Sequence, residues 1–193
     1  MKLFKKFVWR LLIVGLIAGL VVNPVLSAGK KVLRVGFDVD DTLLFSSPAF
    51  EQGYNSGAEP YSDEFWKVVN SSDEKYSTIK KKTSQILKQY QKRGSEIFII
   101  TGRGPAGGEN LKKFLNKTFA VAEKNIFFNP GDKSPLMSKL KLDIYYGDSD
   151  SDITAAQEAG AKAFRILRSP KSSYKGSYNP GKFGEKIIPD SED

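Results

Sequence analysis

Five short apolar runs rich in β-branched and aromatic residues punctuate this chain: Val32 to Phe37, Glu96 to Thr101, Asn125 to Phe128, Asp143 to Gly147 and Ala163 to Leu167. Runs of this length and composition read as buried strands. Between them the apolar residues change to helical spacing. Ile79, Thr83, Ile86, Leu87 and Tyr90 share one face and stop at Gly94; Leu111, Phe114 and Leu115 share a second; Leu136, Met137 and Leu140 a third; Ile153, Ala156 and Ala159 a fourth that stops at Gly160. Strands alternating with helices predict an α/β fold, a doubly wound parallel sheet of the Rossmann type. Ligands of such sheets bind beyond the carboxyl ends of the strands. Two of those ends carry acids, Asp38-Val39-Asp40-Asp41-Thr42 and Gly147-Asp148-Ser149-Asp150-Ser151-Asp152.

Residues 43–76 interrupt the alternation with a turn-rich stretch that carries Phe45, Phe50, Tyr54, Tyr61, Phe65 and Trp66. This stretch reads as a small helical cap inserted after the first strand. The tail from Arg168 to Asp193, rich in Ser, Gly, Pro and Lys, reads as irregular chain wrapping the domain. Residues 1–28 read as a signal peptide: a basic start, an apolar run from Leu11 to Val22, a break at Asn23-Pro24 and the small pair Ser27-Ala28. The domain then covers 29–193, and the expected location is periplasmic or secreted, with only transient membrane contact. The rival is an uncleaved membrane anchor, against which Leu11 to Leu26 falls short of the roughly 20 apolar residues that span a bilayer. Without the four basic residues of this segment, 26 basic residues face 22 acidic ones. That small excess predicts no nucleic acid polymer as partner, and Lys80-Lys81-Lys82 reads as a solvated helix face.

The chain has no cysteine and no histidine. Thiolate nucleophiles, Ser-His pairs and imidazole metal sites are thereby excluded, leaving carboxylates, hydroxyls, lysine and a hard, oxygen-seeking cation such as magnesium. Side chains two apart on an extended segment point the same way, so Asp38 and Asp40 project together. One can attack phosphorus while the other donates a proton to the departing alkoxide and later activates water. The plainer alternative is a capped strand end with Asp41 and Thr42 closing a turn. The second cluster favours chemistry, because Asp148 and Asp152 supply the further anionic ligands that a metal beside an attacking carboxylate needs. A calcium loop is ruled out by Ile153 at its sixth position and Ala159 at its twelfth. Thr101-Gly102-Arg103 reads as an anion nest or a common turn, and Lys133 as a charge for the phosphate or an ordinary loop lysine.

In order and spacing these residues resemble the haloacid dehalogenase (HAD) superfamily of phosphotransferases, whose four motifs match the Asp38 cluster, Thr101, Lys133 and the Asp148 cluster. A narrower likeness is to the class B non-specific acid phosphatases of bacteria, carried by Phe37-Asp38-Val39-Asp40-Asp41-Thr42-Leu43-Leu44-Phe45-Ser46-Ser47-Pro48, the Thr101-Gly102-Arg103 turn, Tyr146-Gly147-Asp148-Ser149-Asp150 and Arg165-Ile166-Leu167-Arg168. The resemblance implies that Asp38 is nucleophile and Mg2+ ligand, Asp40 general acid/base and a ligand through its backbone carbonyl, and Asp148 the other ligand, with Asp152 supporting the metal from behind. It implies that Thr101, Gly102 and Lys133 hold phosphate and that Phe50, Trp66 and Tyr174 form an aromatic leaving-group pocket. Asp41 and Asp150 are left as structural acids. Only Gly29 to Phe37 separates the leader from the first motif, a shorter segment than in the family, and a homo-oligomer stays open as an expectation.

The expected function is an exported magnesium-dependent acid phosphatase. It hydrolyses phosphomonoesters such as nucleotides and aryl phosphates through an aspartyl-phosphate, with some phosphotransferase activity. The alternatives are a class C-like acid phosphatase or a dedicated 5'-nucleotidase, a receiver-like signalling domain, and a non-enzymatic cation-binding surface protein.

Overall fold

The computed structural model describes residues 31–193; the expected signal peptide and its cleavage point lie outside the described residues. In chain order the elements are β1 (Arg34–Phe37), β2 (Leu44–Phe45), α1 (Ser47–Asn55), α2 (Asp63–Tyr76), β3 (Thr78–Ile79), α3 (Lys81–Lys92), β4 (Glu96–Thr101), α4 (Gly108–Phe119), β5 (Ile126–Phe128), α5 (Ser134–Leu140), β6 (Ile144–Gly147), α6 (Asp150–Glu158), β7 (Lys162–Ile166) and β8 (Lys186–Ile188). Six of the strands form one parallel sheet in the order β5-β4-β1-β6-β7-β8. β1 is central, and the chain progresses outward from it first to one side and then to the other. The topological switch point therefore falls between β1 and β6, and the two acidic clusters follow those two strands.

The two-residue period of β4 shows why the sheet is buried on both faces. Ile97 and Ile99 point into a core with Leu87, Leu111 and Leu115 of α3 and α4. Phe98 and Ile100 point into a second core with Met137, Ile153 and Ala156 of α5 and α6. On the first face Phe37, Tyr146 and Phe164 stack across β1, β6 and β7 with neighbouring centroids 4.9 Å apart. No helix among the described residues is long and apolar enough to cross a membrane.

The inserted stretch runs on to Ile79, because a two-stranded antiparallel ribbon, β2 with β3, closes it, and between its strands α1 and α2 pack on each other, with α2 also against α4. Ser62 caps α2 by accepting the Phe65 amide, and Asp63 and Glu64 complement the positive end of its dipole.

Three local expectations are corrected. Ile79 belongs to β3 rather than to the helix after it, because α3 starts only at Lys81. The tail is not wholly irregular: Ile187-Ile188 is too short a run to announce a strand, yet β8 pairs with β7 at the sheet edge. Finally, Lys80 is no solvated helix residue. It is 0% exposed and donates from Nζ to the carbonyls of Asp41 at 2.7 Å and Leu167 at 2.6 Å.

Candidate active site

Asp38 is fixed at the end of β1 by its own amide, which donates to the Tyr146 carbonyl at 2.9 Å. Beyond it the chain turns sharply: the amides of Leu43 and Leu44 both return to the Val39 carbonyl, and Asp41 sits at φ 54°, in the left-handed region. From β6, Gly147 leads into Asp148. Glycine is required there, since a Cβ would meet the Asp152 side chain at 2.4 Å. α6 opens at Asp150, because Ser149 and Asp152 form a reciprocal capping box.

These turns bring Asp38, Asp148 and Asp152 together, all buried, with one carboxylate oxygen of each within 4.8 Å of the others. Burial, reinforced by Asp152, pushes Asp148 up to about 7 although Arg168 opposes the shift. Burial likewise raises Asp38 well above the usual carboxylate range; Lys133 opposes, and Asp152, Asp148 and Asp40 add to the rise. Lys133 lies between two of the acids, its Nζ donating to Asp38 Oδ1 at 2.6 Å and Asp152 Oδ1 at 2.7 Å. Burial works against that ammonium, but Asp152 and Asp38 outweigh it and hold it charged. Among the described residues, nothing donates to Asp38 Oδ2. An all-oxygen, mutually repelling trio of acids fits a hard divalent cation such as Mg2+. Asp40's carboxylate lies outside the trio, so its reading as a ligand rests on its main-chain carbonyl alone.

Asp40 is held differently. Its Oδ1 accepts from Ser46 Oγ at 2.6 Å and from Arg103 Nη2 at 2.6 Å, and its Oδ2 accepts from Arg103 Nε at 3.0 Å. Burial alone would raise its pKa, but the charge and hydrogen bonds of Arg103, helped by Ser46, bring it below the usual value.

Asp38, Asp40, Gly102, Lys133, Asp148 and Asp152 all line one cleft of about 570 Å³, and Phe50, Trp66 and Tyr174 line it as well. A Cβ on Gly102 would meet nothing within 4 Å, so bare backbone faces open space there. Thr101 is not on the cleft wall: it is 0% exposed, and its Oγ1 accepts the Arg103 amide at 3.2 Å. Trp66 stands edge-on to Phe50 at 5.9 Å and packs over Gly104, where a Cβ would come within 2.3 Å of the indole. Tyr54 and Tyr61 extend the aromatic wall, their hydroxyls 3.2 Å apart. Sequence periodicity gave these two no role beyond membership of the aromatic stretch.

The tail closes the other side. Arg168 donates from Nε to Asp148 Oδ2 and from Nη1 to the carbonyls of Tyr174 and Gly176, with the rings of Tyr174 and Tyr178 against its guanidinium. Ser172 reaches Asp41 Oδ2 at 2.5 Å, Ser173 reaches Ser47 Oγ, and Asn179 holds Asp150. Asp41 and Asp150 thus tie the tail to the site, as structural acids do. Arg103 and Arg168 stood inside motifs of the sequence without roles, since a lone arginine carries no spacing signal.

A six-stranded parallel sheet with carboxylates gathered at its switch point defines the HAD hydrolase fold. Two solved structures share it: a predicted phosphoglycolate phosphatase from Haemophilus somnus (TM-score 0.56, 16% identity, 86% of this chain and 97% of that one) and a HAD family hydrolase from Deinococcus radiodurans with bound phosphate and sodium (TM-score 0.54, 14% identity, 81% and 90%). The family model described as HAD superfamily, subfamily IIIB (Acid phosphatase), matches residues 19–177, and the class B acid phosphatase of Klebsiella pneumoniae is 38% identical over 85% of this chain and 75% of its own length. The chain belongs to this family, the class B acid phosphatases of the HAD superfamily. It is a phosphoric monoester hydrolase, and its substrates are small phosphomonoesters.

Proposed function

We propose that the protein is an exported, magnesium-dependent acid phosphatase of broad specificity, acting on nucleotides and aryl phosphates through an aspartyl-phosphate on Asp38. The observation that carries this reading is the unengaged Asp38 Oδ2 on the cleft that also holds Asp40, Lys133 and the aromatic wall. Asp38 Oδ2 forms a bond to phosphorus as the bond to the leaving oxygen breaks, and Asp40, which Arg103 holds ionised in the free cleft and which takes up a proton as the negative charge of the incoming phosphate raises its pKa, gives that oxygen its proton. Asp40 then takes a proton from water, whose oxygen attacks phosphorus and breaks the bond to Asp38, releasing phosphate. An alcohol entering in place of water makes the enzyme a phosphotransferase.

Asp38, Asp148 and Asp152, with the Asp40 carbonyl, would hold Mg2+. When bound, the ion supplies positive charge that keeps the attacking carboxylate ionised and offsets charge on the phosphoryl oxygens. Lys133 contributes a fixed charge beside the nucleophile, and Gly102 presents bare backbone to phosphate. Thr101, buried away from the cleft, supports the turn that presents Gly102, its hydroxyl oxygen accepting the Arg103 amide. Phe50, Trp66 and Tyr174 take the apolar part of the leaving group.

Asp38→Asn tests the chemistry, because an amide cannot attack phosphorus. The variant is expected to bind inorganic phosphate yet to release none from p-nitrophenyl phosphate in Mg2+. Turnover at the normal rate would overturn the mechanism. A substrate panel separates this reading from a dedicated nucleotidase, which would spare aryl phosphates. Export rests on the basic start and apolar run of residues 1–28. Recovery of the protein at its full intact mass would refute cleavage.

A further inference from the structure

Arg103 has five N–H donors, and each meets an acceptor. On one edge Nε and one Nη2 proton go to Asp40. On the other, Nη1 donates to Asp73 Oδ2 at 2.6 Å and Asn70 Oδ1 at 3.2 Å, and Nη2 donates to Asp73 Oδ1 at 3.1 Å. The guanidinium is 1% exposed and lies 5.2 Å from the Phe50 ring centroid. Asp73 is 1% exposed and does not line the cleft. It is itself anchored: Ser77 Oγ donates to its Oδ1 at 2.6 Å, while Asn70 Nδ2 is bound to the carbonyls of Gly104 and Ala106.

We propose that Asp73 is a positioning residue for proton transfer to the leaving group: from α2 it grips one edge of Arg103, whose other edge aims the Asp40 carboxyl into the cleft. The proposal rests on the reading of Asp40 as the general acid. A fork with all five donors engaged cannot turn without breaking a bond, so Asp40 inherits the orientation that Asp73 and Asn70 impose. Without the Asp73 carboxylate, two guanidinium protons lose their acceptors and the planar group is free to swing, carrying Asp40 away from the leaving oxygen. The gripping helix also carries Trp66, which lines the cleft where the leaving group is expected to lie. A single rigid element therefore both contacts the leaving group and aims its proton donor.

The test is kcat/KM for a series of phosphomonoesters running from p-nitrophenyl phosphate, whose leaving group needs no proton, to alkyl phosphates, whose alkoxide does. General-acid assistance is worth about 10²–10⁴-fold. Asp73→Asn is expected to lose about tenfold or more with the alkyl esters and less than about threefold with p-nitrophenyl phosphate, part of that assistance being forfeited. Equal losses across the series would mean a merely structural ion pair and overturn the proposal. Asp40→Asn is run on the same series: if it is steep and Asp73→Asn is flat, the proposal alone fails, and if Asp40→Asn is itself flat, the general-acid reading fails and takes the proposal with it. Should Asp73→Asn not fold, Ser77→Ala loosens the same carboxylate more gently, with a smaller loss of the same slope expected and a flat series refuting.

Discussion

Replacing Lys80 by methionine separates the effect of a buried charge from the effect of the hydrogen bonds it makes. The Lys80 side chain is 0% exposed and, among the described residues, meets only two acceptors, the carbonyls of Asp41 and Leu167. A neutral amine has two N–H groups and satisfies both, so the third proton brings charge without a partner. Burial accordingly lowers the Lys80 pKa from 10.5 to about 8, against the opposing charges of Asp41 and Asp148. Because the folded value lies below the unfolded one, the unfolded chain binds more protons between pH 8 and 10.5, and stability from this group rises with pH across that window. At about 1.4 kcal/mol per pKa unit the rise is about 3 kcal/mol. The assay is urea unfolding of the wild type and of Lys80→Met at a series of pH values from 7 to 10.5, taking the difference so that tyrosine ionisation cancels. The wild type should gain about 3 kcal/mol on the variant as pH rises, whatever the constant cost of roughly 1–3 kcal/mol for each orphaned carbonyl. A stability difference that does not change with pH refutes the argument.

Other expectations follow from the crowded acids and the aromatic wall. With the folded Asp148 value raised to about 7, the native state holds the extra proton, so metal-free stability from this group falls as pH rises from about 4 to 7. Asp148→Asn in chelator at pH 8 should therefore be more stable than the wild type by roughly 1–3 kcal/mol, and thermal unfolding should show it losing most of the stabilisation by added Mg2+. Gly104→Ala places a methyl group 2.3–2.6 Å from Trp66 Cδ1 and Nε1 and should displace the indole. KM for p-nitrophenyl phosphate should then rise several-fold while inhibition by inorganic phosphate is unchanged.

The strands and the two acidic ends were legible in the sequence because each follows from local chemistry. β1, β4 and β6 are short apolar runs, and the alternation that sends Ile97 and Ile99 to one face and Phe98 and Ile100 to the other is visible in the letters. The acids Asp38, Asp40, Asp148 and Asp152, with Gly102, Lys133 and the aromatic trio, line a single cavity. Thr101 is the exception, because nothing local says that its hydroxyl bonds its own turn. The cations that orient the acids were not readable either. Arg168 meets an aspartate 20 positions away and Arg103 one 63 positions away, and pairings at such distances exist only once the sheet brings the loops together. Lys80 was misread for the opposite reason. It neighbours Lys81, which is exposed, and a run of like charges hides a member that the fold turns inward.

The central place of β1 also bears on the order in which the protein is made. Its two sheet neighbours, β4 and β6, follow about 60 and 110 residues later, and the guanidinium that holds Asp148 and the tyrosine at the cleft mouth come later still. A chain emerging amino-terminus first thus carries Asp38 from an early stage with no sheet to hold it and no walls around it. Contacts this distant in sequence make assembly slow and keep it from completing until nearly all of the domain is available. Hydrolytic power is among the last properties the nascent chain acquires, so phosphate esters at the site of synthesis meet Asp38 only as a loose, unaimed acid.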